Sequence, residues 1–293
     1  MKIRENPTDI RCILFGLGQT VVAYHGRLVN MRLARLYGVN DPEKVRWRLI
    51  GRKNRRLYPR LPVYRASAGR TDTVKFIQEI RNALSIDHWI PDSSVENCIR
   101  NAYNISGRML QLLYFLGDEK QGGRFILGII SNIPEIHWDD LTASYSMLRL
   151  RKDDNPRVLR LRKNFGVGDK DIEGDERGVV DLRVLSFKER LTKPNRKIFW
   201  RGFRRVRRIA QVYGIELEPQ HCVYFDDLEE NVVAAEYLGL RAFLVTGPRD
   251  EEWGSQDSYL SMAGYLTKCG IALPPSDYCL PSYKNQQSLV RPP

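Results

Sequence analysis

Four segments of the sequence carry side chains suited to chemistry at points where apolar runs or predicted helices meet loops. In chain order they contain Gly16 to Thr20, Ser131 with Asn132, Lys193 before Pro194, and Asp226 with Asp227. The first segment follows the apolar run 12–15, which predicts a short strand that ends in a glycine-containing turn. Taken alone, a serine or an aspartate pair at a strand end more often caps the next helix.

Predicted strands alternate with predicted helices along most of the chain. Apolar runs predict strands near 10–15, 124–130, 179–186, 222–225 and 241–245, and apolar residues at helical spacing or helix-start signals predict helices at 26–37, from 40 and 71 onward, at 109–116, 196–213 and 229–238. This alternation predicts an α/β fold: a Rossmann-like parallel sheet with helices on both faces. The carboxyl ends of parallel strands meet at one edge, so the four segments are expected to converge there.

The chain is predicted to have a core with a helical insertion and a terminal extension. Residues 1–22 and 118–249 form the predicted α/β core, and the mainly helical stretch 23–117 forms an inserted cap. Within the core, 142–178 is charged and has no apolar period for most of its length, which indicates a long surface insertion or a partly disordered loop. Residues 250–293 are polar and contain proline, which favours a peripheral arm.

The order of the four segments resembles that of the haloacid dehalogenase-like (HAD) hydrolases, in the phosphatase-like branch with an inserted helical cap. The matching motifs are FGLGQTVV from Phe15, GIISN ending at Asn132, KPN from Lys193 and VYFDDLEEN ending at Asn231. The resemblance implies a HAD-like core. It also implies that Thr20, Ser131, Asn132 and Lys193 hold phosphate, and that Asp226 and Asp227 lie beside Mg²⁺.

Gly16 departs from the family pattern, in which this position is the aspartate that attacks phosphorus. Glycine has no side chain, so it can neither attack phosphorus nor ligate a metal. No catalytic residue and no required cofactor are therefore expected, with Mg²⁺ bound only if a residual site is used. For Asp226 and Asp227 two interpretations stay open: residual metal binding, or a helix cap with an ion pair to Lys193.

The composition favours an anionic macromolecular partner. The formal net charge is +12, and basic residues cluster in 44–70 and 193–208. Such clusters are typical of surfaces that bind RNA or an acidic protein, although a solvated helix face explains each equally well. The predicted basic surface comprises Arg46, Arg48, Arg52, Lys53, Arg55, Arg56, Arg201, Arg204, Arg205, Arg207 and Arg208.

The sequence favours a reducing location without a membrane span. No apolar run approaches the roughly 20 residues needed to cross a bilayer, and the first residues carry no signal-peptide hydrophobic region. The five cysteines, at 12, 98, 222, 269 and 279, have no paired spacing. We therefore expect a cytoplasmic or another reducing intracellular protein.

Three functions remain open on the sequence. The leading hypothesis is a catalytically inactive HAD-like protein, a pseudophosphatase that serves as a binding or structural subunit of an RNA-containing or other large assembly. The alternative is a Mg²⁺-dependent phosphohydrolase of a small phosphorylated metabolite, with Gly16 as an inactivating change or with an unorthodox mechanism. A third hypothesis is a sensor that binds a small phosphorylated ligand without turnover.

Overall fold

The computed structural model describes residues 9–51, 59–84, 90–117, 125–246 and 254–275. The strands are β1 (Cys12–Phe15), β2 (Ala23–Tyr24), β3 (Tyr103–Asn104), β4 (Ile126–Ser131), β5 (Leu182–Leu185), β6 (Cys222–Asp226) and β7 (Arg241–Leu244). The helices are α1 (Gly26–Leu36), α2 (Pro42–Leu49), α3 (Pro62–Ser67), α4 (Thr73–Leu84), α5 (Asp92–Ile99), α6 (Gly107–Gly117), α7 (Glu135–Ser144), α8 (Pro156–Asn164), α9 (Ser186–Glu189), α10 (Arg196–Val212), α11 (Glu229–Glu236) and α12 (Gly254–Lys268).

The main sheet is parallel and confirms the predicted α/β fold class. Its strand order among the described residues is β5-β4-β1-β6-β7, with β1 in the middle. Phe15, the last residue of β1, is paired with Ile129 of β4 and with Phe225 of β6. The carboxyl ends of β1, β4 and β6 therefore meet at one edge of the sheet.

Helices cover both faces of the sheet, as alternate residues of β1 show. Cys12 and Leu14 pack into a buried cluster with the apolar residues of α10, whereas Ile13 and Phe15 face a second cluster formed with α6, α7 and α12. Helix α10 packs closely on β4 at Gly202, where a Cβ would lie 2.7 Å from the end of the Ile130 side chain and would require it to shift. This packing fixes the start of α10 beside the strand ends.

Helices α1 to α5 bury their apolar residues in a cluster of their own, joined by Ile136 of α7. The short antiparallel pair β2–β3 lies at the two ends of this segment. At the end of the predicted cap of 23–117, α6 contributes Met109, Leu112 and Leu113 to the cluster on the sheet. The apolar pattern of α6 alone does not show whether this helix packs against the cluster of α1 to α5 or against the sheet.

The predicted insertion at 142–178 is more ordered than its composition indicates. It contains α8 and two short 3-10 helices, and its backbone pairs at Leu150–Val180 and Arg151–Asp175. Arg162 of α8 is only 1 % exposed and donates hydrogen bonds to the carbonyls of Arg151 and Ile172. The buried Arg162 guanidinium organises this segment together with Val158, Leu161 and Phe165, which are apolar residues at helical spacing.

Within the predicted peripheral arm of 250–293, the structure describes residues 254–275, and helix α12 packs against the core there. Tyr259, Met262, Ala263 and Leu266 of α12 are buried in the cluster that covers the sheet. The Ser258 hydroxyl also donates a hydrogen bond to the Gln19 carbonyl at 2.9 Å. Helix α12 therefore belongs to the core packing and supports the loop after β1.

No helix in the described ranges is long and apolar enough to cross a membrane. Cys12, Cys98 and Cys222 form no disulfide within the described part of the chain.

Candidate functional site

The loop after β1 is held tightly by backbone hydrogen bonds. The Gly16 amide donates to the Phe225 carbonyl at 2.8 Å, which fixes the loop against β6. The Leu17 carbonyl accepts from the amides of Thr20, Val21 and Val22. Thr20 is fully buried, and its Oγ1 has no hydrogen-bond partner among the described residues.

Two hydrogen bonds join the loop after β4 to the loop before α10. The Asn132 side chain accepts a hydrogen bond from the Lys193 amide at 2.8 Å and donates one to the Lys193 carbonyl at 3.0 Å. Asn195 caps α10 by accepting from the Lys197 amide at 3.0 Å. Asn132 therefore positions the lysine backbone, while Ser131 is buried at the end of β4.

Lys193 reaches across the strand ends to Asp226. Its Nζ donates to Asp226 Oδ2 at 2.5 Å and to the Tyr224 hydroxyl at 3.0 Å, and that hydroxyl in turn donates to Asp226 Oδ2. The Lys193 and Asp226 side chains are 6 % and 1 % exposed. The site therefore contains a desolvated ion pair bridged by a tyrosine.

The second oxygen of Asp226 is also occupied. Oδ1 accepts from the Leu228 amide at 3.0 Å and from Asn231 Nδ2 at 2.7 Å. Burial acts to raise the pKa of Asp226, but the charge of Lys193 and the hydrogen bonds from Lys193, Tyr224 and Asn231 outweigh it, so the pKa lies below its usual value. Asp226 is thus ionised, with both oxygens hydrogen-bonded.

Gly16 lies directly against this ion pair. A Cβ at Gly16 would be 2.5 Å from Asp226 Oδ2 and 3.2 Å from Lys193 Nζ, so any side chain requires the carboxylate to move. The space in which a side chain at position 16 would begin is occupied by the Lys193–Asp226 pair. Glycine is the residue that this arrangement accommodates.

The residues at this edge do not fit a Mg²⁺ ion in the arrangement observed. Mg²⁺ prefers oxygen ligands in near-octahedral geometry, but Gly16 supplies no side-chain oxygen and both Asp226 oxygens accept hydrogen bonds. Across the described residues there is no group of three or more His, Cys, Asp or Glu residues that could hold a metal ion. Asp227 follows Asp226 and is half-buried.

Sequence reasoning missed Tyr224 as a member of this site. It lies in an apolar strand and resembles an ordinary core aromatic, and its ring does pack edge-to-face with Phe199. The signal was its spacing: residues two apart in a strand share a face, which places the Tyr224 hydroxyl beside Asp226.

The predicted basic surface divides into paired and unpaired residues. Arg46 pairs with Glu43, and Arg48 donates to the Leu84 carbonyl. Arg201 and Arg205 both pair with Glu189, and Arg207 pairs with Glu218. For Arg204 and Arg208 no ion pair or hydrogen bond is formed with the described residues, whereas Arg52, Lys53, Arg55 and Arg56 lie outside them.

Comparison with solved structures identifies the fold. A HAD-family enzyme from Bacteroides thetaiotaomicron, solved in complex with magnesium and inorganic phosphate, aligns over 82% of this chain and 96% of its own, with a TM-score of 0.55 and 16% identity. A predicted HAD-like family hydrolase from Porphyromonas gingivalis aligns over 84% of this chain and 94% of its own, with a TM-score of 0.51 and 18% identity. No protein-family model and no curated protein matches the chain. The protein thus has the HAD-like α/β fold.

Proposed function

We propose that this protein is a catalytically inactive HAD-like protein, a pseudophosphatase that acts as a binding or structural subunit. One observation carries the proposal: the Lys193–Asp226 ion pair lies against Gly16, where a nucleophilic side chain would begin. Covalent phosphoryl transfer needs a carboxylate oxygen at that place to attack phosphorus. Residues 23–117, which include α1 to α5, are the proposed inserted cap. The absence of a disulfide at Cys12, Cys98 and Cys222 among the described residues favours a reducing intracellular compartment such as the cytoplasm.

The same proposal explains why the remaining motif residues are present. Asn132, Lys193, Tyr224 and Asp226 are engaged with one another, so each contributes to joining the strand ends. Their retention is compatible with a structural role, because a half-satisfied buried polar network would destabilise the fold. A partner would then bind elsewhere, with RNA or another large assembly favoured by the basic surface.

The test is hydrolysis of an aryl phosphate in the presence of Mg²⁺ by the unaltered chain, by Asp226→Asn and by Asp9→Asn. Asp9 is a half-exposed carboxylate near the start of β1 and serves as the matched control. We expect no turnover above the blank from any of the three. Magnesium-dependent turnover by the unaltered chain that Asp226→Asn abolishes, and Asp9→Asn retains, would refute the proposal.

The Gly16→Asp variant provides a second test of the proposed function. We expect a lower Tm than that of the unaltered chain, because the new side chain must displace the Asp226 carboxylate. Turnover that appears only in this variant would support the proposal, since it would locate the loss of activity at Gly16.

The second candidate is a Mg²⁺-dependent phosphohydrolase. It is favoured by the position of Ser131, Lys193 and Asp226 at the carboxyl edge of the sheet, together with the magnesium and phosphate reported in the Bacteroides enzyme of similar fold. Mg²⁺ binding would require Asp226 to exchange hydrogen bonds for the metal. The hypothesis of a phosphate sensor predicts that inorganic phosphate raises the Tm of the protein and that no phosphate ester is hydrolysed.

A further inference from the structure

A groove of about 410 Å³ runs between α8 and α10 on the surface of the protein. Its lining consists of Arg157, Arg160, Leu161, Arg208, Gln211 and Val212. The three arginines are exposed, and none of their guanidinium groups pairs with an acidic side chain in the part of the chain that the structure describes. The groove therefore presents three positive charges over an apolar floor.

Two other arginines of α10 differ from these three because they pair with an acidic side chain. Arg201 and Arg205 both form ion pairs with Glu189, and the Arg205 guanidinium also lies 5.3 Å from the centre of the Phe165 ring. Those two residues hold α10 against its surroundings. Arg157, Arg160 and Arg208 have no such structural role among the described contacts, so their charges are available to an anion.

The exposed face of α10 continues from the groove toward the start of the helix. Lys197 and Arg204 are exposed and lack ion-pair partners among the described residues. Residues three and four apart are neighbours on a helix surface, so both flank Trp200, whose exposed fraction is 46%. The Trp200 ring packs on one side against Phe203, at 5.9 Å between ring centres, and the rest of the residue is accessible between two cations that have no ion-pair partner among the described residues.

A second exposed aromatic ring lies beside the same face. Tyr237, which follows α11, is 67% exposed, and the Arg196 guanidinium stacks 3.1 Å from the centre of its ring. The face thus combines free cations with two accessible aromatic rings. From Arg196 to Arg208 it extends for about 18 Å at 1.5 Å per residue.

We propose that the face formed by α8 and α10 binds single-stranded nucleic acid. Arginine forks fit phosphate oxygens, and exposed aromatic rings stack on unpaired bases. An acidic peptide would use the cations but would leave the exposed part of the Trp200 ring without a planar partner, so this ring favours the nucleic acid. The inference deepens the proposed function by naming the partner of the binding protein.

The experiment measures fluorescence anisotropy of a labelled single-stranded RNA of about 16 nucleotides, titrated with the full chain. We expect affinity to fall steeply as salt rises between about 50 and 200 mM. In the triple variant Arg157→Ala, Arg160→Ala, Arg208→Ala, the slope of log affinity against log salt should decrease by about 2, at about 0.7 per lost phosphate contact.

Trp200→Ala gives an independent readout. It should weaken binding by about tenfold while leaving the salt slope unchanged, because stacking releases no counterions. The matched control removes Arg35, Lys75 and Lys268, three exposed cations on α1, α4 and α12, by substitution with alanine. That variant has the same net charge as the groove triple and should bind the RNA as the unaltered chain does.

Three results would overturn the inference: no binding at low salt, equal weakening by the control and the groove triple, or binding of poly-glutamate in preference to RNA. The last would identify an acidic protein as the partner. Single-stranded DNA of the same sequence shows whether the sugar is recognised, and binding of either supports the inference. None of these outcomes bears on the phosphatase assay, so this inference and the proposed function can fail separately.

Discussion

At the scale of single residues, the charge balance around Asp226 explains why Gly16 is compatible with a stable fold. The buried edge holds one ammonium group and one carboxylate, and their ion pair is completed by the Tyr224 hydroxyl. A second carboxylate at position 16 would leave an uncompensated negative charge away from water, which is strongly unfavourable. With glycine at position 16, Lys193 neutralises the charge of Asp226, and no metal ion is needed to balance the buried charges.

We predict that Lys193→Met destabilises the protein by about 3–5 kcal/mol, because it leaves the buried Asp226 carboxylate without its cation. The double variant Lys193→Met, Asp226→Asn should be more stable than the single variant, since it removes both charges. Urea unfolding provides the free energies. Lys197→Met, on an exposed and unpaired lysine of α10, is the control and should change stability by less than about 0.5 kcal/mol.

His137 is the buried group whose titration affects stability near neutral pH. It lies in α7 against Tyr24 and Tyr103 of the β2–β3 pair, shares a hydrogen bond of 3.0 Å with the Tyr103 hydroxyl, and its Nε2 has no partner among the described residues. Burial, with a smaller effect from the charge of Arg100, lowers its pKa to about 4. The imidazole is therefore neutral in the folded protein.

Because the unfolded chain binds the proton first, this group's contribution to stability is present above about pH 6.5 and is lost as the pH falls toward 4. We predict a loss of a few kcal/mol over that window, at about 1.4 kcal/mol per pKa unit. His137→Phe should flatten the dependence of unfolding free energy on pH. Tyr103→Phe, which removes the hydrogen bond but keeps the imidazole, should retain it; equal slopes for His137→Phe and the unaltered chain would contradict the prediction.

At the scale of elements, α8 is held in place by hydrogen bonds from buried arginines. Arg162 donates to three backbone carbonyls, and Arg151 beside it donates to the carbonyls of Gly117 and Val179. We predict that Arg162→Met lowers stability by about 3 kcal/mol, because several charge-assisted hydrogen bonds are lost and their acceptors stay buried. Limited proteolysis should then cleave within 150–175. Arg160→Met, an exposed residue of the same helix, should leave the digestion pattern unchanged.

The elements that could be predicted from the sequence are those with strong local patterns. The helix predicted from 40 onward corresponds to α2, where the Asp41 side chain accepts a hydrogen bond from the Glu43 amide at the start of the helix. The strands β4 and β6 are apolar runs buried on both faces, and each ends near the residue where the polar motif begins. The convergence of Ser131, Lys193 and Asp226 followed from parallel topology.

At the scale of the whole molecule, prediction failed where order depends on contacts distant in sequence. The pairing of Asn132 with the Lys193 backbone joins residues 61 apart, and no local pattern indicates it. Likewise, the charged composition of 142–178 does not indicate which backbone carbonyls accept hydrogen bonds from Arg162. The polar composition of α12 concealed a buried side, because its apolar residues become recognisable only beside α6 and the β1 loop.

The last prediction tests whether α12 is part of the core of the whole molecule. Leu266 is fully buried in the cluster on the sheet, whereas Leu260 on the same helix is 60% exposed. Leu266→Ala should lower the free energy of unfolding by about 2–5 kcal/mol through lost burial and the cavity left behind. Leu260→Ala should change it by less than about 0.5 kcal/mol. If the two variants unfold at the same urea concentration, α12 does not support the core; the contact of Ser258 with the Gln19 carbonyl would then not stabilise the loop that contains Gly16.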